Sequence, residues 1–233
     1  MERPLDHELS ELKERLLTMA SLAEAAVNDA VRALVQRDLE LALRVRENDL
    51  EIDRLEIEVD DLAIHLLAKA PLASDLRFVA MAMKISQNLE RVGDEAAKIA
   101  KRARDLCHEA PLTLDVPLAA MAERALGLLK RALDAFVQHD AAAARALIPK
   151  DKEVNALHKD IQHRLTEQMR ADADTILRCL NWVIAAKSLE RIADHAKNIA
   201  EEVVYLCEAQ DIRHPRAMQS QVEVSSRAHR SQP

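Results

Sequence analysis

Two stretches one hundred positions apart read almost as copies: Leu89-Glu90-Arg91-Val92-Gly93-Asp94-Glu95-Ala96-Ala97-Lys98-Ile99-Ala100 and Leu189-Glu190-Arg191-Ile192-Ala193-Asp194-His195-Ala196-Lys197-Asn198-Ile199-Ala200. A fixed-period self-similarity sets the architecture before any local propensity is weighed, because each copy must bury its apolar face in the same way. The copying extends beyond this block. Val35-Gln36-Arg37-Asp38 returns as Val137-Gln138-His139-Asp140, and Asp49, Glu51, Ile52 and Leu55 return as Asp151, Glu153, Val154 and Leu157. The chain is an internal duplication.

The repeated unit is helical. Ile85, Leu89, Val92, Ala96, Ile99, Ala103 and Leu106 form a heptad-like stripe, matched by Ala185, Leu189, Ile192, Ala196, Ile199, Val203 and Leu206. A further stripe runs through Val45, Ile52, Leu55, Val59, Leu62 and Leu66, with Asn48 placed on the same seam. Aromatic residues make up 2% of the chain and there are two glycines among 233 residues, whereas helix formers dominate. Breakers are few: Pro71 with Ser74 as a following N-cap, the span 109–117 with two prolines, and residues 171–174. Helices are therefore expected at about 5–36, 38–70, 74–108, 117–139, 140–170 and 173–210, the fifth broken or kinked at Pro149.

The expected fold is all-α: a tandem duplication of a three-helix bundle, with six long antiparallel helices. The first repeat takes residues 1–108, a linker 109–116 and the second repeat 117–210. Residues 211–233, rich in Ser, Gln, Arg and His, read as a disordered tail. Trp182 and Phe78 read as core residues.

A net charge of −7 disfavours a nucleic-acid binder, which needs a basic stripe to neutralise phosphates. Cys107, Cys179 and Cys207 form no C-x-x-C pair and leave an odd thiol, which fits a reducing cytoplasm. No segment has the apolar run of a membrane helix or a signal peptide, so direct membrane insertion is not expected. Phosphate loops, nucleophile elbows and dinucleotide fingerprints are missing too, which points away from an enzyme.

Chemistry enters through the carboxylates. Glu90 with Asp94, and Glu190 with Asp194, are spaced i, i+4, which stacks both groups on one helix face beside the apolar seam. Asp49, Asp53, Glu56 and Asp60 form a similar acidic flank on the second helix. Such acids either form a solvated face, paired with Arg91, Lys98 or Arg191, or hold a cation. Carboxylates gathered without matching cations repel one another, and a divalent ion relieves that repulsion. Oxygen ligands suit Mg²⁺, Mn²⁺ or Ca²⁺, and iron accepts them as well. A ferritin-like di-iron centre is disfavoured, because a Glu-x-x-His pair is needed on two helices and the nearest match is a single Asp160-Ile161-Gln162-His163. His195 is a weaker candidate ligand, and Cys107-His108 at a helix end is weaker still.

The doubled motif, the Asp75-Leu76-Arg77 start of the third helix and the three-plus-three layout resemble the PhoU family over about Leu5 to Cys207. The resemblance implies a cytoplasmic, non-enzymatic regulator that accompanies the phosphate ABC transporter and restrains the phosphate-starvation response. The implied partners are the transporter ATPase and a sensor histidine kinase, and a homodimer is expected. The resemblance also implies metal ligation by Asp49, Asp53, Glu90 and Asp94 in the first repeat and by Asp151, Glu190 and Asp194 in the second. The ion would be a divalent or transition metal, whether Mg, Mn, Fe or Zn. Asn155 stands where the first repeat has Asp53, so unequal occupancy is expected. A metal-storage bundle and an accessory of a low-affinity phosphate permease are the alternatives.

Overall fold

The computed structural model describes residues 4–70 and 72–213. Among the described residues seven α-helices follow one another: α1 (Pro4–Gln36), α2 (Leu39–Leu67), α3 (Ala73–Cys107), α4 (Leu118–Gln138), α5 (Ala141–Leu147), α6 (Asp151–Ala171) and α7 (Ile176–Glu208). Short 3₁₀ turns occupy Ile148–Lys150 and Ala173–Thr175. No strand is present among the described residues. The break expected at Pro149 splits the fifth helix into α5 and α6, since Pro149 has no N–H to donate to the preceding turn.

The repeated Val-Gln-x-Asp segments make equivalent turns. Arg37 and His139 adopt left-handed backbone conformations, with φ of 59° and 54°, which ends α1 and α4. The next residue then caps the following helix: Asp38 Oδ1 accepts from Leu41 N at 2.9 Å, and Asp140 Oδ1 from Ala143 N at 2.8 Å. Arg37 also reaches across to the end of α3, donating to the Leu106 carbonyl at 2.6 Å and so satisfying an acceptor the helix leaves open.

α1, α2 and α3 pack together, as do α4, α6 and α7 with α5 beside them. The halves meet through equivalent helices, α3 against α7 and α1 against α4, as a pseudo-twofold arrangement requires. The long stripes lie in this core: Ile85, Leu89, Val92 and Ile99 of α3 and Leu189, Ile192 and Ile199 of α7 are fully buried. Phe78 stacks on Phe136 with ring centroids 5.9 Å apart, joining the two halves, and Trp182 packs partly buried against the core.

Several local expectations change. Ser74 does not cap α3; it lies within the first turn, and Leu72, without a side-chain hydrogen bond, is the N-cap residue. Asn48 is exposed rather than on the α2 seam, because Val45 and Ile52 already fill the inward positions on either side of it. Of the stretch expected to form the tail, residues 211–213 are described: Arg213 pairs with Glu202 of α7 at 3.4 Å and also with Asp211. Residues 214–233, and Pro71, lie outside the described residues.

The halves are also joined by ion pairs in which buried carboxylates meet partly exposed cations. Glu95 of α3 is held by Lys98 at 2.9 Å and by Arg191 of α7 at 3.1 Å, and Glu202 of α7 pairs with Lys84 of α3 at 3.2 Å. Hydrogen bonds across the pseudo-twofold keep Glu95 below its ordinary value despite burial, Ser188 of α7 being the foremost of them.

Candidate metal centre

The first carboxylate group is built where α2 and α3 approach tightly at Gly93. Gly93 makes that approach possible: a β-carbon there would stand 2.9 Å from Ile52 Cδ1 and 3.1 Å from Asp49 Oδ1. The Asp49 carboxylate therefore rests against the bare backbone of α3, on the turn that carries Glu90 and Asp94.

Charge accumulates at this contact. The Asp49 carboxyl is pushed up to about 6, first by burial and then by Asp53 and Asp94, with Lys98 and Arg46 offsetting part of the effect. Glu90 is pushed up to about 7, again by burial first and then by Asp94, with Glu56 and Asp53 adding to it against the opposing Arg91. Glu56 is raised by burial and by Asp60, Asp53 and Asp94. The acidic flanks of α2 and α3 thus face each other, and the local cations do not balance them. Glu90 Oε2 is buried and accepts no hydrogen bond, Arg91 Nε lying 3.2 Å away but out of line.

The second group lies between α6 and α7. Asp151 is buried and pairs with Lys197 at 3.3 Å, and Glu190 pairs with Lys187. Asp194 is raised by burial first, then by Glu190 and Asp151. Asn155 carries a buried Oδ1 with no hydrogen-bond partner. His158 faces the same group: burial lowers its imidazole while Glu190 raises it. His158 occupies the position equivalent to Glu56, so the repeat alignment was the signal that would have found it.

All seven carboxylates expected to bind metal thus fall into two separate groups, Asp49, Asp53, Glu90 and Asp94 in one and Asp151, Glu190 and Asp194 in the other. Among the described residues, no three His, Cys, Asp or Glu side chains converge closely enough to enclose an ion. Their oxygens are instead turned to neighbouring cations, as Asp94 is to Arg91 at 3.2 Å. The donor set still fits a hard divalent cation, because Glu90 and Asn155 each leave a buried oxygen without a hydrogen bond and the raised carboxylates carry unbalanced charge. His195 belongs to neither group. Its Nδ1 lies 3.0 Å from Asn88 Oδ1 in the α3–α7 interface, and burial lowers its imidazole. His163 is exposed and Asp160 is tied to Arg164 at 2.8 Å, so that pair builds no centre.

Comparison with known proteins matches this architecture. The PhoU domain model matches residues 16–103 and again 118–203. The phosphate-specific transport system accessory protein PhoU homolog of Pseudomonas aeruginosa is 41% identical over 213 residues, covering 89% of this chain and 86% of that protein. The PhoU protein of Escherichia coli K12 is 34% identical over 208 residues, covering 89% and 86%. The crystal structure of PhoU from Pseudomonas aeruginosa superposes with a TM-score of 0.85 at 40% identity, covering 88% of this chain and 99% of that one. The phosphate transport system regulatory protein PhoU from Streptococcus pneumoniae gives a TM-score of 0.84 at 30% identity, covering 89% and 99%. Two PhoU-domain matches lie over the two halves, each with its own carboxylate group between its second and third long helices: the chain belongs to the PhoU family.

Proposed function

We propose that this chain is a non-enzymatic, cytoplasmic accessory of phosphate transport that restrains both phosphate uptake and the phosphate-starvation two-component response. It acts by contact, as a homodimer, engaging the ATPase of the phosphate ABC transporter and the sensor histidine kinase. The observation that carries this reading is the match to relatives named as phosphate-specific transport accessories, which spans 86% of their length. No described helix is long and apolar enough to cross a membrane, which is compatible with action through partners.

The carboxylate groups hold divalent or transition metal ions in this reading. Asp49, Asp53, Glu90 and Asp94 serve the first repeat, and Asp151, Glu190 and Asp194 serve the second, joined by Asn155 and His158. A bound cation supplies positive charge that relieves carboxylate repulsion and ties α2 to α3, or α6 to α7. The raised Asp49 and Glu90 also favour a second reading, a metal-storage protein, which predicts high metal loading with no partner. An accessory of a low-affinity permease would differ in its gene neighbours.

Deletion of the gene tests the regulatory role. The phosphate-starvation response is expected to stay on in high phosphate and to be silenced again by the intact chain. Normal repression in the deletion strain would remove the basis for this function.

A further inference from the structure

Where α3 begins and α7 ends, the two repeats part company. In the alignment that sets Leu89 on Leu189, Arg77, Ala80 and Lys84 of α3 match Leu177, Leu180 and Ile184 of α7. Those three α7 residues are exposed aliphatics, Leu177 by 69%, so the bundle forms without charge at these positions. The first repeat nevertheless carries two cations and a small residue there, and Tyr205 of α7 stands where α3 has Asp105.

These residues surround a cavity of about 420 Å³ between the start of α3 and the end of α7. Arg77, Lys84 and Arg213 give it a cationic side, and Leu76, Ala80, Met81 and Tyr205 give it a largely apolar one. A leucine in place of Ala80, as at position 180, would take up part of this space. Among the described residues Asp211 is the acid that lines it. Ala73, in the first turn of α3, lines it too, and the N-cap residue Leu72 makes no side-chain hydrogen bond, so the positive end of a 35-residue helix lies beside the cavity. Asp75 of the same turn lines a different cavity, with Asp6 and Lys13.

Arg77 is the uncompensated charge. Its guanidinium makes no hydrogen bond or ion pair with the described residues, and its Nε is cut off from water. A charged donor buried in that way is costly unless something accepts from it. Lys84 and Arg213 are anchored by the buried Glu202, at 3.2 and 3.4 Å, yet keep 39% and 40% of their side chains exposed. Asp211 also holds Arg213. Three cations therefore meet two carboxylates. Glu201 lies nearby, but it does not line the cavity and its leading charge partner is Lys197.

We propose that this cavity binds a small organic phosphate, its phosphate group held by Arg77, Lys84 and Arg213 and its organic part resting on Leu76, Met81 and Tyr205. A guanidinium fork matches two phosphate oxygens and an ammonium adds a point charge. A cavity of this size falls within the range of about 300–1,000 Å³ usual for small-molecule sites, which combine an apolar wall with a few placed polar groups, and exceeds what a free phosphate fills. The site is separate from both metal groups. Arg77 precedes Glu90 by about 20 Å along α3, and the proposal stands without the regulatory reading.

Calorimetric titration of the metal-free full-length protein tests it, with AMP, glucose 6-phosphate and inorganic phosphate as ligands and adenosine and glucose as their phosphate-free counterparts. At least one organic phosphate is expected to bind saturably and more tightly than inorganic phosphate, and the phosphate-free molecules are expected not to bind. Arg77→Leu breaks no hydrogen bond or ion pair and introduces the residue type that the second repeat carries, so the fold is expected to persist by circular dichroism while affinity falls at least about tenfold. Lys101→Gln with Arg170→Gln removes two exposed positive charges elsewhere and is expected to leave affinity within about twofold. Inorganic phosphate binding as tightly as either organic phosphate would overturn the organic part and make the free anion the occupant. Adenosine or glucose binding as tightly as its phosphorylated form would overturn phosphate recognition. The site itself would be overturned by affinity unchanged in Arg77→Leu, or by no saturation with any phosphate up to about 10 mM.

Discussion

Divalent cation is expected to raise the melting temperature of the metal-free protein, and the double variant Glu90→Gln with Asp94→Asn is expected to lose that response at the first site. A ligand that binds only the folded state stabilises it by RT ln(1 + [L]/Kd), about 2.7 kcal/mol at a hundredfold excess over Kd. The sign of the pH dependence follows from the raised carboxyls. Glu90 rises from 4.5 to about 7 on folding and Asp49 from 3.8 to about 6. A carboxyl raised on folding favours the folded state when protonated, so its contribution is fully present below the ordinary value and is lost as pH climbs through the folded one. Metal-free protein therefore loses stability at this site between about pH 4 and pH 7, while the benefit of metal grows over the same range because the ion competes with protons. The amide variant keeps the side-chain shapes without the charges. It should be as stable as the metal-free wild type, or slightly more stable, near pH 7.5. Calorimetric melts with Mg²⁺, Mn²⁺, Fe²⁺ and Zn²⁺ at pH 5 and pH 7.5 check each part. Curves unmoved by all four ions would return these acids to the role of a solvated face. The second site should bind more weakly, since Asn155 replaces an acid. His158 in place of Glu56 should shift its preference from Mg²⁺ toward Mn²⁺, Fe²⁺ or Zn²⁺.

Leu89→Ala is expected to cost about 3–4 kcal/mol, seen as a lower urea midpoint with an unchanged slope. Leu89 is fully buried on α3, a helix packed against α1, α2 and α7, so no single neighbour can collapse into the space it leaves. Leu89→Met, which nearly conserves volume, should cost less than about 1.5 kcal/mol. A Leu89→Ala loss below about 1 kcal/mol would contradict a seam closed on every side.

What was legible in the sequence was whatever depended on one helix at a time. The period of Ile85, Leu89, Val92 and Ile99 named the buried face of α3, and the copies at Leu189, Ile192 and Ile199 named that of α7. Pro149 marked the break between α5 and α6 because its missing N–H acts locally. The acidic flanks were legible as faces, since i, i+4 spacing is a property of the helix. What the sequence hid needed the separation of two helices. Gly93, which aligns with Ala193 in the second repeat, allows Asp49 to approach α3, and no single-helix period shows that approach. His158 was masked because the repeat replaces an acid with an imidazole, so no carboxylate pattern pointed to it. The links from Glu95 to Arg191 and from His195 to Asn88 depend on how the two halves dock, which no single-helix period encodes. Ser74 misled because its type favours N-caps, while the chain enters α3 in extended conformation two residues earlier, at Leu72.

The central claim, regulation by contact, is tested most directly by measuring binding of the purified full-length chain to the phosphate transporter ATPase and to the sensor kinase, each with and without divalent metal. Saturable binding to both partners is expected, with an affinity that changes on metal loading and with no consumption of a small-molecule substrate. Failure to bind either partner, in both the metal-loaded and the metal-free form, would contradict it.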